Sequence, residues 1–202
     1  MHLIGTPRSR TMRVAWMLEE LGLDYDWQPS LPRSPEVKAL NPSGKIPVFK
    51  IGADVLTDSV AILQYLADSH NCLTHKAGTI PRAIQDSFTQ FCIVEVEGPL
   101  WTAARHSLMY DETTRLPAIK PVCRMEFDQA METLAQRLGD NDYVMGQAFT
   151  VPDLLLGHCA AWAELAKFTL PGGRVGAYFK RVRGRPAFKA ALARAATLAN
   201  AA

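Results

Sequence analysis

The sequence predicts an α/β domain at the N-terminus followed by an all-α domain, and three observations carry that expectation. Short apolar, strand-like runs alternate with helical periodicity up to about residue 69. Strand signals then disappear across a polar, irregular stretch from Asn71 to Pro81. Beyond it the apolar spacing is helical to the end of the chain. The domains are therefore placed at 1–70 and 82–202, with a linker at 71–81.

Taken in order, the first run spans residues 2–5 and ends at Gly5 and Pro7. A helical pattern follows, with apolar residues at Met12, Val14, Ala15, Trp16, Leu18 and Leu21, and Gly22 stops it. Tyr25, Asp26 and Trp27 read as a second strand. The proline-punctuated segment from Pro29 to Pro42 has room for one short helix, around Glu36 to Leu40. Residues 46–51 and 55–57 flank a turn at Gly52, Ala53 and Asp54, which predicts a β-hairpin. Asp58 and Ser59 then open a helix carrying Val60, Ile62, Leu63, Tyr65 and Leu66. The order is β-α-β-α-β-β-α. In the second half, helices are expected at about 82–110, 116–138, 151–168, 174–183 and 186–199.

Composition narrows the function. Of 202 residues, 48% are apolar and 21% charged, which suits a folded globular chain. The 22 basic and 20 acidic residues nearly cancel to +2, so neither a nucleic acid nor an anionic membrane is the expected partner. Cys72, Cys92, Cys123 and Cys159 lie far apart without metal or redox spacing and read as free thiols in a reducing compartment. No secretion signal precedes Pro7 and no run approaches the roughly 20 apolar residues of a membrane span, so a cytoplasmic location is expected. The five histidines form no ligand-spaced group, and no metal site is expected. Phosphate-loop, dinucleotide, zinc-protease and nucleophile-elbow motifs are all missing.

Two segments carry chemistry. In Asn41-Pro42-Ser43-Gly44-Lys45-Ile46-Pro47-Val48-Phe49, proline stands at the start of a strand, a place that a residue without an N–H tolerates, and a cis Ile46–Pro47 bond is proposed. Such a turn would offer the Ile46 backbone to an extended peptide. Thr57-Asp58-Ser59 ends a strand and opens a helix, which puts a carboxylate, a hydroxyl and unpaired N–H groups at one helix N-terminus. That set suits an amino-acid zwitterion, with the N–H groups and the Ser59 hydroxyl on its carboxylate and Asp58 on its ammonium. A plain helix cap is the alternative for both residues.

These two segments, in this order and spacing, resemble the glutathione-binding domain of the glutathione transferase family, in which N-P-x-G-K-[IV]-P and an acidic-Ser pair before an apolar helix are characteristic. The resemblance covers essentially the whole chain and implies a thioredoxin-like first domain. It implies that Ile46 pairs its backbone with the cysteinyl part of glutathione beside cis-Pro47, that Lys45 reaches the glycine carboxylate, and that Asp58 and Ser59 hold the γ-glutamyl end. Thr150 and Asp153, in Phe149-Thr150-Val151-Pro152-Asp153-Leu154, match the family's helix-start capping box, a folding role that Pro152 does not disturb.

Reactivity depends on the loop from Thr6 to Arg13. Where thioredoxin-like redox proteins keep C-x-x-C, this chain has Ser9-Arg10-Thr11-Met12, so no dithiol cycle is possible there. Family members with a catalytic serine show S-x-x-x-R, which Ser9 and Arg13 match, so the resemblance is to bacterial-type, serine-class enzymes. Ser9 could instead only cap the helix, and Thr6, Arg10 and Thr11 are neighbouring alternatives. The resemblance implies glutathione as co-substrate with no other cofactor, a small hydrophobic electrophile as second substrate, and a homodimer. Trp101, Arg105 and Leu108 are the candidate electrophile-pocket residues, although Trp101 and Leu108 also fit a core. A non-catalytic binding or scaffold protein and a glutathione-dependent reductase or isomerase are the competing functions. Serine in place of cysteine weighs against a deglutathionylating enzyme.

Overall fold

Four short strands and three helices build the N-terminal part of the chain in the computed structural model, which describes residues 1–200. They run β1 (His2–Ile4), α1 (Thr11–Glu20), β2 (Asp26–Gln28), α2 (Pro35–Leu40), β3 (Val48–Ile51), β4 (Asp54–Thr57) and α3 (Ser59–Ser69). The sheet order is β2-β1-β3-β4. β1 and β2 pair in parallel, His2 opposite Asp26, which requires the α1 crossover between them. β3 pairs antiparallel with β1, Leu3 opposite Phe49, and with β4 through a turn at Gly52, where φ is 57°. This is the thioredoxin-like arrangement, and the element order is the one expected from the sequence. β2 begins at Asp26, one residue later than its apolar pattern suggests.

Alternation along the strands divides the core into two faces. Ile4 and Val48 form one cluster with Val37 of α2, edged by Leu40 and Ile46. Leu3 and Phe49, both fully buried, point to the other side of the pleat. α1 packs against α3, and Val14, Trp16, Leu18, Ile62, Leu63 and Leu66 are likewise fully buried.

The chain divides into two compact units: residues 1–74 with the chain from Arg183 onward, and residues 75–182. The last helix, α9 (Pro186–Asn200), therefore groups with the N-terminal elements, whereas the sequence places it in the 82–202 domain. Side chains on α1 explain the grouping. Trp16 packs against Phe188 with ring centroids 4.5 Å apart and ring planes tilted by 49°, and Arg185 donates to both oxygens of Glu20 at 2.6 and 2.7 Å. Arg194 lies 3.9 Å from the centre of the Tyr25 ring.

The second unit is helical. Its first helix, expected at about 82–110, is α4 (Ile80–Phe91), a π-helical segment (Cys92–Val96), α5 (Glu97–Ala104) and a second π segment (Arg105–Met109). α6 (Ile119–Leu138), α7 (Val151–Leu165) and α8 (Gly173–Arg183) follow. α7 starts with the expected capping box of Thr150 and Asp153. No helix among the described residues is long and apolar enough to cross a membrane.

Candidate active site

Gly5, at the end of β1, is where two of the candidate segments of the first unit meet. Its φ of 140° lies where side chains are disfavoured, and a Cβ built on it would fall 2.3 Å from Thr11 Oγ1 and 2.9 Å from Ile46 Cβ. Only glycine lets the Thr6–Arg13 loop and the Ile46–Pro47 segment approach this closely. Two bonds fix the glycine: its N–H donates to Gln28 O at 3.0 Å, and Trp27 Nε1 donates to its carbonyl at 2.9 Å.

Ser9 is half-buried at the start of α1. Its Oγ lies 2.7 Å from Thr6 O and 2.8 Å from Thr11 Oγ1, and it accepts from the Thr11 N–H at 3.1 Å. The last bond is a cap-like contact, so a local structural role for Ser9 is present in the geometry. Thr11, one of the alternatives to Ser9, is fully buried.

The segment before β3 is held by Asn41, a residue that the sequence reading gave no role. Asn41 Nδ2 donates to Lys45 O at 2.9 Å, and its Oδ1 accepts from Ser43 N and Ser43 Oγ at 3.1 and 2.8 Å. Gly44, at φ 66°, passes close to Arg33, whose N–H donates to the Gly44 carbonyl at 2.8 Å. The Ile46–Pro47 bond is cis. Pro47 is buried, Ile46 half-buried and the Lys45 side chain exposed. The proline and glycine spacing made this turn legible in advance. The asparagine signal was there too, since Asn favours turns by bonding to backbone two residues on.

At the start of α3, Asp58 has φ 72° and ψ 124°, an uncommon conformation for a residue with a side chain. Its Oδ1 accepts from Val60 N at 2.9 Å and from Ala61 N at 3.2 Å, so Asp58 does cap the helix. Neither bond uses Oδ2, and the residue is exposed. Ser59 is almost completely buried, and its Oγ accepts from Arg13 Nη1 at 3.3 Å. Arg13 is itself fully buried. The structure therefore brings Arg13 to Ser59 across 46 residues of sequence and gives no direct bond between Arg13 and Ser9. The S-x-x-x-R spacing pointed to Arg13 but not to its partner, because only the α1–α3 packing sets that pairing.

In the helical unit, Trp101 and Arg105 lie together, with the guanidinium 6.0 Å from the indole centre and Arg105 Nη2 donating to Thr102 Oγ1 at 3.1 Å. Trp101 is half-buried and meets Trp162 edge-on at 6.3 Å. Leu108, in the second π segment, is 75% exposed and so is not a core residue of this unit. An open recess of about 400 Å³ in the first unit, lined by His2, Asp26, Gln28, Glu36 and Lys50 among others, includes none of the residues around Ser9. Charges of both signs make it a poor match for an apolar electrophile. Among the described residues, no three or more His, Cys, Asp or Glu side chains form a group able to hold a metal ion.

A thioredoxin-like unit with a cis-proline turn and an acidic-Ser helix start, joined to a helical unit, defines a class of glutathione-linked proteins, and comparisons agree. The family model described as "Glutathione S-transferase, N-terminal domain" matches residues 3–75. Glutathione S-transferase PARB of Nicotiana tabacum is 32% identical over 168 residues, covering 74% of this chain and 76% of that protein. Glutathione S-transferase GstA of Escherichia coli O157:H7 is 27% identical over 158 residues, covering 76% and 75%. The crystal structure of a glutathione transferase from Methylococcus capsulatus superposes with a TM-score of 0.81 at 25% identity, covering 97% of this chain and 98% of that one. The chain belongs to the glutathione S-transferase family.

Proposed function

We propose that this protein is a serine-type, bacterial-type glutathione transferase that conjugates the glutathione thiolate to small hydrophobic electrophiles in the cytoplasm, working as a homodimer. The observation that carries the reading is the meeting at Gly5 of the Ser9 loop with Ile46, in the same unit that holds Asp58 and Ser59. Each part of a γ-glutamyl tripeptide then has a partner. Asp58 takes the ammonium through the carboxylate oxygen that its cap leaves unused, while Ser59, oriented by Arg13, takes the γ-glutamyl carboxylate. The Ile46 backbone pairs with the cysteinyl part and Lys45 meets the glycine carboxylate.

In the reaction the thiol loses its proton to solvent, the sulfur attacks an electrophilic carbon, a C–S bond forms, and the leaving group departs with its electron pair. The protein's task is to keep the sulfur ionised. A thiol of pKa about 8.5 is roughly 3% ionised at pH 7, and lowering it by two units makes it about three-quarters ionised for about 2.7 kcal/mol of differential stabilisation. Ser9 supplies a charge-assisted hydrogen bond to the thiolate and remains unmodified. Trp101, Arg105 and Leu108 offer the electrophile an aromatic, a cationic and an exposed aliphatic contact on the helical unit.

Ser9→Ala tests this assignment. A lost charge-assisted bond of about 1.5 to 3 kcal/mol should slow turnover of a haloaromatic substrate by roughly 10- to 150-fold, with little change in glutathione affinity. The pH profile should move to more alkaline values. An unaltered rate and profile would remove Ser9 from the mechanism, and a panel of electrophiles that gave no turnover would leave the binding-protein reading instead.

A further inference from the structure

We infer that the helical unit selects aromatic electrophiles that carry a carboxylate: the ring lies against Trp101 and Trp162, and Arg105 takes the acid. The inference narrows, and rests on, the reading of Trp101 and Arg105 as electrophile contacts made above. Its basis is a guanidinium with most of its donors unused, beside an aromatic surface that is only partly covered.

Trp101 lies on α5 and Arg105 opens the second π segment, four residues on. That spacing puts both on one helix face, with the guanidinium 6.0 Å from the indole centre. This is the outer limit of cation–π attraction, so the ring compensates little for the charge. An arginine has five N–H donors. Half-buried Arg105 gives one, from Nη2 to Thr102 Oγ1 at 3.1 Å, and no other acceptor among the described residues bonds to it. Its Nε is enclosed by protein and has no acceptor at all. Two other arginines show the contrast: Arg82 donates to Asp86 at 2.9 Å and to the His75 carbonyl at 3.2 Å, and Arg185 grips both oxygens of Glu20. A partly desolvated cation without an acid partner is costly, and an incoming anion recovers that cost.

The adjoining surface fits a ring. Trp101 meets Trp162 of α7 at 6.3 Å with the planes at 67°, and His158, one helical turn earlier on α7, meets Trp162 at 6.5 Å and 70°. All three side chains are half-buried, so two indoles show part of their apolar surface side by side within one unit. An arene gains area and favourable ring contacts there. The free protons of Nη1 and Nη2 form a planar fork that matches the two oxygens of a carboxylate. In conjugation the sulfur bonds to the ring carbon that bears the leaving group, and a halide departs with its electron pair. The carboxylate is a handle and takes no part in the bond changes.

The experiment puts two matched pairs of arenes on the wild type, Arg105→Gln and Arg105→Lys. Nitrobenzoate and its methyl ester have no leaving group and report binding alone, read by calorimetry with glutathione present. A chloronitrobenzoate and its methyl ester report conjugation. Each kcat/KM is divided by the uncatalysed rate with glutathione, because the ester activates its ring more than the carboxylate does. The wild type should bind the acid about 10-fold more tightly than the ester and show a similar preference in conjugation, carried mainly by KM. Arg105→Gln should reduce both preferences to less than about twofold, and Arg105→Lys, which keeps the charge but loses the fork, should retain about threefold. Equal binding of acid and ester by the wild type would overturn the inference, as would a preference undiminished in Arg105→Gln. Should the glutamine variant not fold, an undiminished preference in Arg105→Lys would overturn it equally. Conjugation of both chloroarenes without preference for the acid would sink this inference and leave the transferase reading standing. Arg105-dependent binding of nitrobenzoate, with neither chloroarene conjugated, would support the site and overturn the transferase reading instead.

Discussion

Two helices in this chain begin with an aspartate that accepts backbone N–H bonds, and the two carboxylates could hardly be used more differently. At the start of α7, Asp153 is fully buried and both its oxygens are occupied: Oδ1 by Val144 N and Tyr178 OH, at 3.0 and 2.9 Å, and Oδ2 by Thr150 N and Thr150 Oγ1, at 2.8 and 3.0 Å. At the start of α3, Asp58 is exposed, uses only Oδ1, and has a backbone conformation that side chains rarely adopt. A cap that serves folding consumes its acceptors, ties distant backbone to the helix, and sits in relaxed geometry, with Thr150 extended at φ −135°. A cap that serves a ligand, the role proposed for Asp58, would keep an acceptor in reserve and be held in place by its surroundings at some conformational cost.

The comparison is sharpest when both aspartates receive the same substitution. Asp153→Asn puts an amide NH2 where the carboxylate met only donors. Hydroxyls can turn away, but the N–H of Val144 or of Thr150 cannot, so one buried donor pair is forced together. We expect a loss of about 2 to 4 kcal/mol, read from urea denaturation. A loss under about 0.5 kcal/mol would show that α7 does not depend on this carboxylate.

Asp58→Asn should do the reverse. Asparagine caps helices as well as aspartate and tolerates positive φ better than most residues, so stability should stay within about 0.5 kcal/mol. On the function proposed above, the negative charge for the glutathione ammonium is lost, and affinity should fall about 10- to 100-fold by calorimetry. Unchanged affinity would reduce Asp58 to the plain cap that its Oδ1 already makes.

How much of this was legible beforehand follows the range of the interactions. Local signals gave the element order, the cis proline and both caps, because Pro47 acts on its own peptide bond and Asp58 and the Thr150–Asp153 pair make their capping bonds within three residues. Contacts between distant segments were invisible to periodicity. The Arg13–Ser59 bond, the seating of α9 on α1 through Phe188 and Arg185, and the Gly5 meeting point all join residues more than 40 apart in sequence or depend on one missing Cβ. Nor does sequence spacing mark where a helix widens into a π turn, so the exposure of Leu108 could not be read from its helical period.

Titration tests the buried cap next. Burial pushes the Asp153 carboxyl above the ordinary carboxylate range, partly offset by donors from Val144, Thr150 and Tyr178. In the window between the unfolded and the raised folded values, the unfolded chain has released a proton that the native state retains. The unfolded state is then favoured progressively as pH rises. The Asp153 contribution is therefore fully present below the unfolded value, lost as pH climbs through the folded one, and level beyond it. The stability difference between the wild type and Asp153→Asn should narrow across that interval. A difference that widened with pH would mean that the four donors, and not burial, govern the carboxyl.

The smallest effect is the most diagnostic, because it has opposite signs for folding and for binding. Glycine at position 58 would lose the Oδ1 bonds to Val60 and Ala61, a change that costs only a few tenths of a kcal/mol where glycine replaces a capping residue. It would also relieve a backbone conformation that costs a residue with a side chain about 1 to 3 kcal/mol. Greater freedom of glycine in the unfolded chain returns about 0.5 to 1 kcal/mol of that gain. The balance is a protein equal in stability to the wild type or about 0.5 to 1 kcal/mol more stable in urea. Glutathione affinity should nevertheless fall at least as far as in Asp58→Asn. Thr150→Gly, at the relaxed cap of α7, has no strain to relieve and loses both its hydroxyl bond to Asp153 and the restriction of its extended backbone, so it should only destabilise. If Asp58→Gly were as destabilising as Thr150→Gly, the conformation of Asp58 would be a relaxed one, and the contrast between a cap kept for folding and a cap kept for a ligand would rest on exposure alone.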